Sequence, residues 1–382
     1  MTRTIVDIHV VQTVPPSNIN RDDTGSPKTA LYGGSTRARV SSQAWKRATR
    51  KAFEGLLAPS ELGVRTKRVV ELIAHEIAEA APELKEKSLE LGEKLLSTAG
   101  IKVEKPRAKP KKDKEAEDEA EENAQVAYLL FLSSRQITNL AALAIESERT
   151  GEAFDKAAVK KVADSEHSVD LALFGRMVAD AADLNVDAAA QVAHAISVHA
   201  VDNDFDYFTA VDDKSPADNA GAGMIGTVEF NSSTLYRYAT VDADALKVNL
   251  GTTEATAKAV TAFIRAFVTS MPTGKQNTFA NRTLPDAVVV SVRDSQPVNL
   301  VGAFEDAIVA PEGSTRLHEA SVRLAEYSAE IDRAYAQKPV ASYVLRVGAQ
   351  TEPLAVLGQS VDIDGLVSSV EGIVTERLGS PA

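Results

Sequence analysis

The stretch TIVDIHVVQTVPP, residues 4–16, decides how the chain folds. Its β-branched side chains favour an extended backbone and predict a buried first strand over residues 4–14. Pro15 and Pro16 have no backbone N–H to donate, so we predict that the strand stops there. The chain therefore begins with a strand of a sheet, and the rest of the sequence has to supply its neighbours.

Further strands and helices follow along the chain. Runs that favour strands lie at 206–211, 224–230, 234–241, 286–292 and 341–347. Periodicity and composition predict helices at 41–57, 66–96, 124–147, 154–200, 253–270 and near 315–334. Strands interrupted by helices indicate an α+β fold. A core that starts with a strand and contains two helices fits a ferredoxin-like, or RNA-recognition-motif-like (RRM-like), sheet.

Four regions divide the chain in this interpretation. Residues 1–60 and 242–382 form the two parts of the sheet domain, 61–200 form a helical insertion, and 201–241 form a hairpin with its return strand. The insertion contains the charged segment KVEKPRAKPKKDKEAEDEAEE, 102–122, whose first half is basic and second half acidic. Its prolines and lack of large apolar residues predict a solvated linker. Its basic residues are an alternative phosphate contact, although its own acids largely neutralise them.

Composition limits the classes of function. The chain has 382 residues, is 44% hydrophobic and carries a net charge of −12. With no cysteine, it can form neither disulfides nor thiolate metal sites. The N-terminus lacks the apolar run of a signal peptide, and no stretch has the roughly 18 apolar residues of a membrane span. We therefore expect a cytoplasmic protein without a membrane partner.

The basic residues are concentrated near the N-terminus. Residues 28–51 contain no acid and seven basic side chains: Lys28, Arg37, Arg39, Lys46, Arg47, Arg50 and Lys51. A glycine pair, Gly33-Gly34, would let backbone approach a ligand closely. Ser41 or Ser42 is positioned to cap the helix that follows. Helix N-termini and clustered cations bind phosphates, so this run predicts a phosphate-backbone surface; the alternative is a solvated cationic helix face.

Other candidate sites are weaker. MPTGKQNTFANRTLP, 271–285, has donors for backbone or sugar contacts and no acid, but it is not a Walker loop. Asp202, Asp204 and Asp206 match the first positions of a calcium loop, yet Tyr207 stands where that loop needs glycine. We therefore predict no metal and no other cofactor. The histidines form no HExxH motif, and the aromatic residues near 205–238 are expected to pack within strands, with one or two available to stack on bases.

Several blocks of the sequence resemble one known family. They are NINRDD (18–23), Gly33-Gly34, Arg37-Ala-Arg39, SSQAWKRA (41–48), LALFGRM (171–177), DNDFDYFTAVDD (202–213), GTVEFNSSTLYRY (226–238) and MPTGKQNTFANRTLPD (271–286). Their residues and order resemble the CasC (Cse-type) backbone subunit of the type I-E CRISPR Cascade complex. The segment 102–122 matches nothing in that pattern.

The resemblance implies a non-catalytic, hand-shaped subunit with an RRM-like palm, helical fingers and a hairpin thumb. It implies copies that polymerise head to tail along the CRISPR guide RNA, other Cascade subunits as partners, and target DNA reached through base pairing with the guide. The basic run and the resemblance together predict RNA contacts at Asn18, Asn20, Arg21, Lys28, Arg37, Arg39, Ser41, Gln43, Lys46, Arg47, Arg50, Phe174, Met177, Phe208, Thr209, Ile225, Lys275, Gln276, Asn277 and Arg282. Phe208, Thr209 and Ile225 fall on the implied thumb, and Phe174 and Met177 would wedge among bases.

Two alternatives to this function stay open. A metal-dependent ribonuclease would use the Asp202/Asp204/Asp206 cluster, since some related backbone subunits cleave RNA with an aspartate. A generic RNA- or DNA-binding protein would use the same basic surface without any link to CRISPR.

Overall fold

A computed structural model describes residues 3–104, 123–210 and 224–379 of the chain. Most of the charged segment 102–122 and the connection at 211–223 lie outside these residues. The chain forms two compact units. The first unit contains Met1–Leu56, Ala190–Asp244 and Thr253–Ala382, and the second contains Leu57–Ala189 and Ala245–Thr252. The predicted α+β class is confirmed.

The described residues form fourteen strands and eleven α-helices. The strands are β1 Ile5–Ser17, β2 Thr29–Tyr32, β3 Ser35–Val40, β4 Gly63–Thr66, β5 Val103–Glu104, β6 Gln125–Val126, β7 Leu130–Ser133, β8 Ala190–Val192, β9 Ala195–Ser197, β10 Asp204–Ala210, β11 Met224–Asp242, β12 Ala287–Arg293, β13 Ala341–Arg346 and β14 Gln359–Ser360. The helices are α1 Ser42–Ala52, α2 Val69–Ala80, α3 Ser88–Thr98, α4 Ser134–Thr150, α5 Lys156–Ala163, α6 Val169–Phe174, α7 Ala243–Leu250, α8 Thr253–Thr269, α9 Gln276–Phe279, α10 Arg316–Ala334 and α11 Ile363–Gly379.

The first unit is built on a sheet with β1 at its centre. Antiparallel pairing places β1 between β11 and β12, and the path through the sheet is β14-β13-β12-β1-β11-β9-β3-β2. In the order β12-β1-β11-β9, β1 is the first of the four strands along the chain. Its neighbours are β12, the fourth, and β11, the third. β1 continues through Pro15 and Pro16 to Ser17, with a register shift between Val14 and Ser17. The predicted stop at the prolines was wrong, because a bulge accommodates residues that cannot donate to the ladder.

Both faces of the central strands are covered. On one face, Val11 and Tyr236 belong to a core that also includes Phe304 and, from α10, Leu324. Arg237 follows Tyr236 in β11 and therefore points to the opposite face. There it contacts the rings of Trp45 in α1 and Phe267 in α8. Coverage of both faces explains why ten of the thirteen residues of β1 are buried, the polar Asp7, His9 and Gln12 among them, instead of alternating between buried and exposed.

The second unit has its own core, formed mainly by α2, α3, α4 and α5 with two small two-stranded sheets, β4–β7 and β5–β6. The helical prediction over 154–200 holds for only part of that range and is wrong for 190–197. The structure instead has α5 and α6, then Gly175 at a φ of 76°, then strands β8 and β9. Residues 190–197 are rich in alanine and favour a helix locally, but their backbone pairs with β11 and β3, and this tertiary pairing overrides the propensity. Among the described residues, no helix has the length and apolar character needed to cross a bilayer.

Candidate nucleic-acid interface

The glycine pair of the basic run forms a hairpin turn. Gly33 and Gly34 join β2 to β3 with φ angles of 55° and 75°, a conformation that glycine adopts without strain. A Cβ atom built on Gly33 would lie 1.5 Å from the carbonyl oxygen of Glu305. Glycine is therefore needed at position 33 for packing against the protein's own backbone at Glu305, and not, as expected, for a close approach to a ligand.

Arg37 lies inside the protein, contrary to the expectation that it pairs with Arg39 on a phosphate surface. Its side chain is 0% exposed. The guanidinium donates to the backbone oxygens of Ser197 (3.0 Å), Phe304 (3.0 Å) and Glu305 (2.8 Å), and to Oγ of Ser35 (3.1 Å). Because a guanidinium has five donors in a fixed fork, Arg37 clamps β3 to β9 and to the turn at 304–305, and offers no surface to a phosphate.

Arg39, two residues further, is half-buried and belongs to a polar cluster. Its Nε donates to the oxygen of Thr29 (3.1 Å), and one terminal nitrogen lies 3.5 Å from Nδ1 of His194. Partial burial and the positive charges of Arg39 and Lys28 lower the pKa of His194. The same Nδ1 accepts the backbone N–H of Ser42 at 3.3 Å, which places Lys28, Arg39 and His194 beside the N-terminus of α1.

Helix α1 presents cations beside this cluster. Ser41 is its N-cap, since Oγ accepts from the backbone N–H of Ala44 (3.3 Å), and this settles the choice between Ser41 and Ser42. Ser41 is itself buried, so its hydroxyl serves the helix and not the surface. Trp45 and Thr49 form the buried face. The remaining predicted contacts of the helix lie around the other side: Gln43 and Arg47 are exposed, and Lys46 and Arg50 are half-buried.

The loop before the hairpin contains both structural and surface residues. Asn18 is 0% exposed and donates to the carbonyls of Gly25 and Glu229 at 2.9 Å, so its side chain ties the loop to β11 instead of facing a ligand. Asn20 is half-buried, and its Oδ1 accepts the backbone N–H of Ser41 at 2.8 Å. Arg21 is exposed. The carboxylate of Asp22 accepts hydrogen bonds from Thr24 and Ser26 within its own turn, and these bonds lower its pKa.

The segment 271–285 packs directly against that loop, although some 250 residues separate them in sequence. A Cβ on Gly274 would lie 2.3 Å from the oxygen of Ile19, so only glycine allows the two backbones to meet. Residues Ile19–Gly25 and Gly274 surround an open cavity of about 510 Å³. Beside it, Lys275 is half-buried, and Gln276, Asn277 and Arg282 are exposed.

The fold thus gathers one cationic surface from three separate stretches of chain. The predicted RNA contacts in these stretches that are exposed or half-buried are called the basic surface. They are Asn20, Arg21, Lys28, Arg39, Gln43, Lys46, Arg47, Arg50, Lys275, Gln276, Asn277 and Arg282. Asn18, Arg37 and Ser41 are the predicted contacts that the structure assigns to the interior. His194 is a polar neighbour that sequence reasoning missed, because its proximity depends on the pairing of β9 with β3.

The hairpin of β10 and β11 exposes aromatic side chains on both of its faces. Phe208 pairs with Gly226, and a Cβ on Gly226 would lie 2.4 Å from the Phe208 ring, so the glycine leaves room for that ring. Thr209 and Ile225 are directly paired on the opposite face, in line with Tyr207 and Phe205. Phe205, Tyr207 and Ile225 are 67%, 63% and 61% exposed. Among the aromatic residues of 205–238, the expected packing within strands holds for Tyr236 and Tyr238, which are buried, whereas Phe205 and Tyr207 are exposed.

Phe174 and Met177 lie in the second unit. Phe174 ends α6 and is half-buried, whereas Met177 is 83% exposed. Between them, Arg176 is buried and donates to the oxygens of Leu184 (2.7 Å) and Ala163 (2.9 Å). Arg176 therefore fixes the short turn from which the Met177 side chain projects.

The candidates for metal or acid–base chemistry resolve differently. Among residues 3–104, 123–210 and 224–379, no group of three His, Cys, Asp or Glu is arranged to hold a metal ion. Asp204 and Asp206 lie on one face of β10, as their spacing predicts. His9 is fully buried and bonded through Nδ1 to the hydroxyl of Tyr236 (2.9 Å), and burial lowers its pKa to about 3. It is a neutral residue within the sheet.

Comparison with known proteins identifies the class. Two solved chains match over 96% of this chain. One, from a structure described as "CRISPR RNA-guided surveillance complex, pre-nicking", is 35% identical, has a TM-score of 0.78 and is covered over its full length. The other, from a "CRISPR RNA-guided surveillance complex", is 32% identical, has a TM-score of 0.67 and is covered over 99%. No curated protein matches the chain.

The particular family follows from the sequence model that fits this chain. The model of the CT1975-like proteins matches residues 6–369. The chain belongs to the CT1975-like protein family. The resemblance drawn from the sequence blocks is therefore confirmed at the level of a CRISPR-associated subunit.

Proposed function

We propose that this protein is the guide-RNA-binding backbone subunit of a type I-E Cascade surveillance complex. In this role it holds CRISPR RNA by its phosphates and presents the bases for pairing with target DNA, without catalysing a reaction itself. The proposal extends to this chain what the descriptions of the two similar chains say of theirs.

The observation that carries the proposal is the basic surface. Residues between 20 and 50 and residues between 275 and 282 meet there although they are far apart in sequence, and their exposed groups are guanidinium, ammonium and amide donors. Such donors bind phosphate and sugar oxygens without reading sequence. A subunit that must accept any guide needs this chemistry, because the sequence is read by base pairing between guide and target.

The sheet supports a palm in the proposed hand. Its order β12-β1-β11-β9, antiparallel throughout, is compatible with an RRM-like palm, with the β10–β11 hairpin as thumb and the second unit as fingers. The exposed side chains of Phe208 and Ile225 are suited to separate stacked bases. Copies related by a heterologous, non-closing contact would then follow the guide as a head-to-tail filament.

The first test is to purify the protein with the products of its neighbouring genes and to sequence any RNA that remains bound. Spacers flanked by repeat sequence support the proposal, and random cellular RNA supports the generic nucleic-acid binder.

A second test uses exposed cations. The double variant Arg21→Ala/Arg47→Ala should weaken guide binding for every spacer alike, and lower the salt slope by about 0.7 per lost phosphate contact. Arg333→Ala, an exposed arginine on α10, is the control for a lost charge elsewhere. A loss that depends on the spacer sequence would contradict backbone gripping.

The ribonuclease alternative has its own test. Guide and target RNA are incubated with the protein in Mg²⁺ or Mn²⁺ and analysed for cleavage, using Asp204→Ala as the comparison. Intact RNA with both proteins supports a non-catalytic subunit, whereas cleavage that Asp204→Ala abolishes would establish the enzyme.

A further inference from the structure

Arg237 is a buried cation with no acidic partner among its contacts. Its side chain is 1% exposed, in the C-terminal half of β11. Within the part of the chain that the structure describes, the groups that accept from its guanidinium are Oε1 of Gln12, at 2.6 Å, and the backbone oxygen of Phe267. Burial lowers its pKa to about 9, so it is still charged at neutral pH. An arginine kept in the interior at this cost needs an explanation.

The first explanation is its contact with α1. The guanidinium carbon lies 3.7 Å from the centroid of the Trp45 ring and 4.5 Å from that of Phe267. Trp45 is the single tryptophan of the chain and is 0% exposed at the middle of the buried face of α1. Stacking of a planar guanidinium on an indole face fixes both the rotation of α1 about its axis and its distance from the sheet.

The second explanation is its link to the segment 271–285. Gln12, which accepts from Arg237, donates through Nε2 to the oxygen and to Oγ1 of Thr283, at 3.0 and 3.1 Å. Phe267, the other acceptor, is in α8, which leads into Met271 at the start of the segment. One guanidinium therefore connects α1 to both ends of 271–283 through buried and partly buried contacts.

We infer that Arg237 is a positioning residue that couples α1 to the segment 271–285, so that the two halves of the basic surface are held in one register for a single phosphate chain. This inference rests on the proposed function. Arg47 and Lys275 project from the two coupled segments and never touch Arg237 in the contacts described, which makes them independent reporters of position.

The first arm of the test needs no RNA. Hydrogen exchange of the full chain should rise in Arg237→Met both in Ser42–Ala52 and in 271–283, with α10 unchanged. Gln12→Met removes the link to Thr283 and one acceptor of Arg237 but keeps the contact of Arg237 with Trp45, so exchange should rise more in 271–283 than in Ser42–Ala52. An equal rise in α10 would reveal a general loss of stability and overturn the inference, as would unchanged exchange in both segments. If Arg237→Met does not fold, the Gln12→Met pattern decides.

The second arm measures binding of a guide RNA. In the wild-type protein, Arg47→Ala and Lys275→Ala should each weaken binding by about fivefold, roughly the effect of one phosphate contact. In Arg237→Met, the two substitutions should have less than about half of that effect, since coupled residues give non-additive losses. Undiminished effects would overturn the inference.

A conservative variant separates charge from position. Arg237→Lys keeps the cation but has neither the planar stack nor the fork, so it should behave like Arg237→Met. Wild-type binding by Arg237→Lys would show that the charge alone matters and would overturn the positioning role. If neither Arg47→Ala nor Lys275→Ala weakens RNA binding in the wild-type protein, the proposed function fails, while the exchange pattern still decides the coupling.

Discussion

Two arginines only ten residues apart in sequence have opposite roles in this protein. Arg37 bonds four oxygens of its own chain, whereas Arg47 is exposed on α1. Sequence reasoning placed both on the phosphate surface because charge clustering does not reveal which side chains turn inward. Arg37 is held inside by the backbone oxygens of Ser197, Phe304 and Glu305, which are more than 150 residues away in sequence. No local sequence pattern predicts these contacts.

Substitution of these two arginines should separate stability from binding. Arg37→Ala should lower the free energy of unfolding by about 3 kcal/mol, because it leaves buried carbonyls without donors. Arg47→Ala should change stability by less than about 0.5 kcal/mol, as is usual for surface substitutions, and should weaken RNA binding. Urea denaturation and RNA titration of both variants measure the two effects. A stable Arg37→Ala protein with weakened RNA binding would contradict this assignment.

His9 should make the protein less stable in mild acid. Its pKa is about 3 in the folded chain and near 6.5 when unfolded, so between these values only the unfolded state takes up the proton. Stability is therefore fully present above about pH 6.5 and falls as the pH drops towards 3, by up to about 1.4 kcal/mol per pH unit for this one group. Urea unfolding of wild type and His9→Gln between pH 7 and pH 4 should show a shallower slope in the variant. Identical slopes would mean that His9 is protonated in the folded chain.

At the scale of elements, α1 was the best predicted part of the site. Its serine cap, its cationic side and its Trp45 side all follow from helical periodicity, although the helix ends at Ala52, five residues before the predicted end. The sequence could not show that Asn20 and His194 each accept a backbone N–H at the start of this helix. Those contacts depend on strand pairing across the sheet and not on local preference.

The cap of α1 provides a matched pair of substitutions. Ser41→Ala removes the side chain that accepts from the N–H of Ala44 and should cost about 1 kcal/mol of stability. At Ser42 the described contact to His194 comes from the backbone N–H, which alanine keeps, so Ser42→Ala should be nearly neutral. Thermal unfolding of the two variants under one buffer condition measures the difference. Equal losses would show that the cap hydrogen bond contributes little.

The β2–β3 hairpin offers a similar comparison. Both glycines of its turn have positive φ, so alanine at either position should cost about 1 kcal/mol. At Gly33 the added Cβ also meets the oxygen of Glu305, whereas at Gly34 no atom lies within 4 Å. Gly33→Ala should therefore be the more damaging by at least about 2 kcal/mol, measured by denaturant unfolding. Losses of the same size would mean that the contact with Glu305 relaxes at little cost.

At the scale of the whole molecule, the sequence predicted the class of fold from its alternation of strands and helices, and its blocks predicted a CRISPR-associated subunit. The prediction of secondary structure failed where pairing with residues distant in sequence determines the conformation. Residues 190–197 have a helical composition but form strands that pair with β11. The two halves of the basic surface were both found as motifs. Their meeting through Ile19 and Gly274, and their common anchor on Arg237, required the three-dimensional structure.

Charge segregation is a property of the whole chain and can be tested as such. The protein concentrates cations in one surface while its net charge is −12. Acids elsewhere, such as Glu326 and Glu330 on the exposed side of α10, should repel nucleic acid from the remaining surface. Glu326→Lys/Glu330→Lys should therefore strengthen non-specific binding of duplex DNA several-fold, by roughly threefold to tenfold at low salt, and this gain should vanish as salt rises.

The controls identify the cause of that gain. Glu326→Gln/Glu330→Gln removes two charges without adding any, so it should give a smaller increase in the same direction. Guide-RNA affinity should stay within about twofold in both variants, because the basic surface is unchanged. Titration of each variant with duplex DNA and with guide RNA across a salt series distinguishes these effects. Duplex binding that does not respond to either variant would mean that the acids do not protect this surface, and that selectivity arises only from how the basic surface fits RNA.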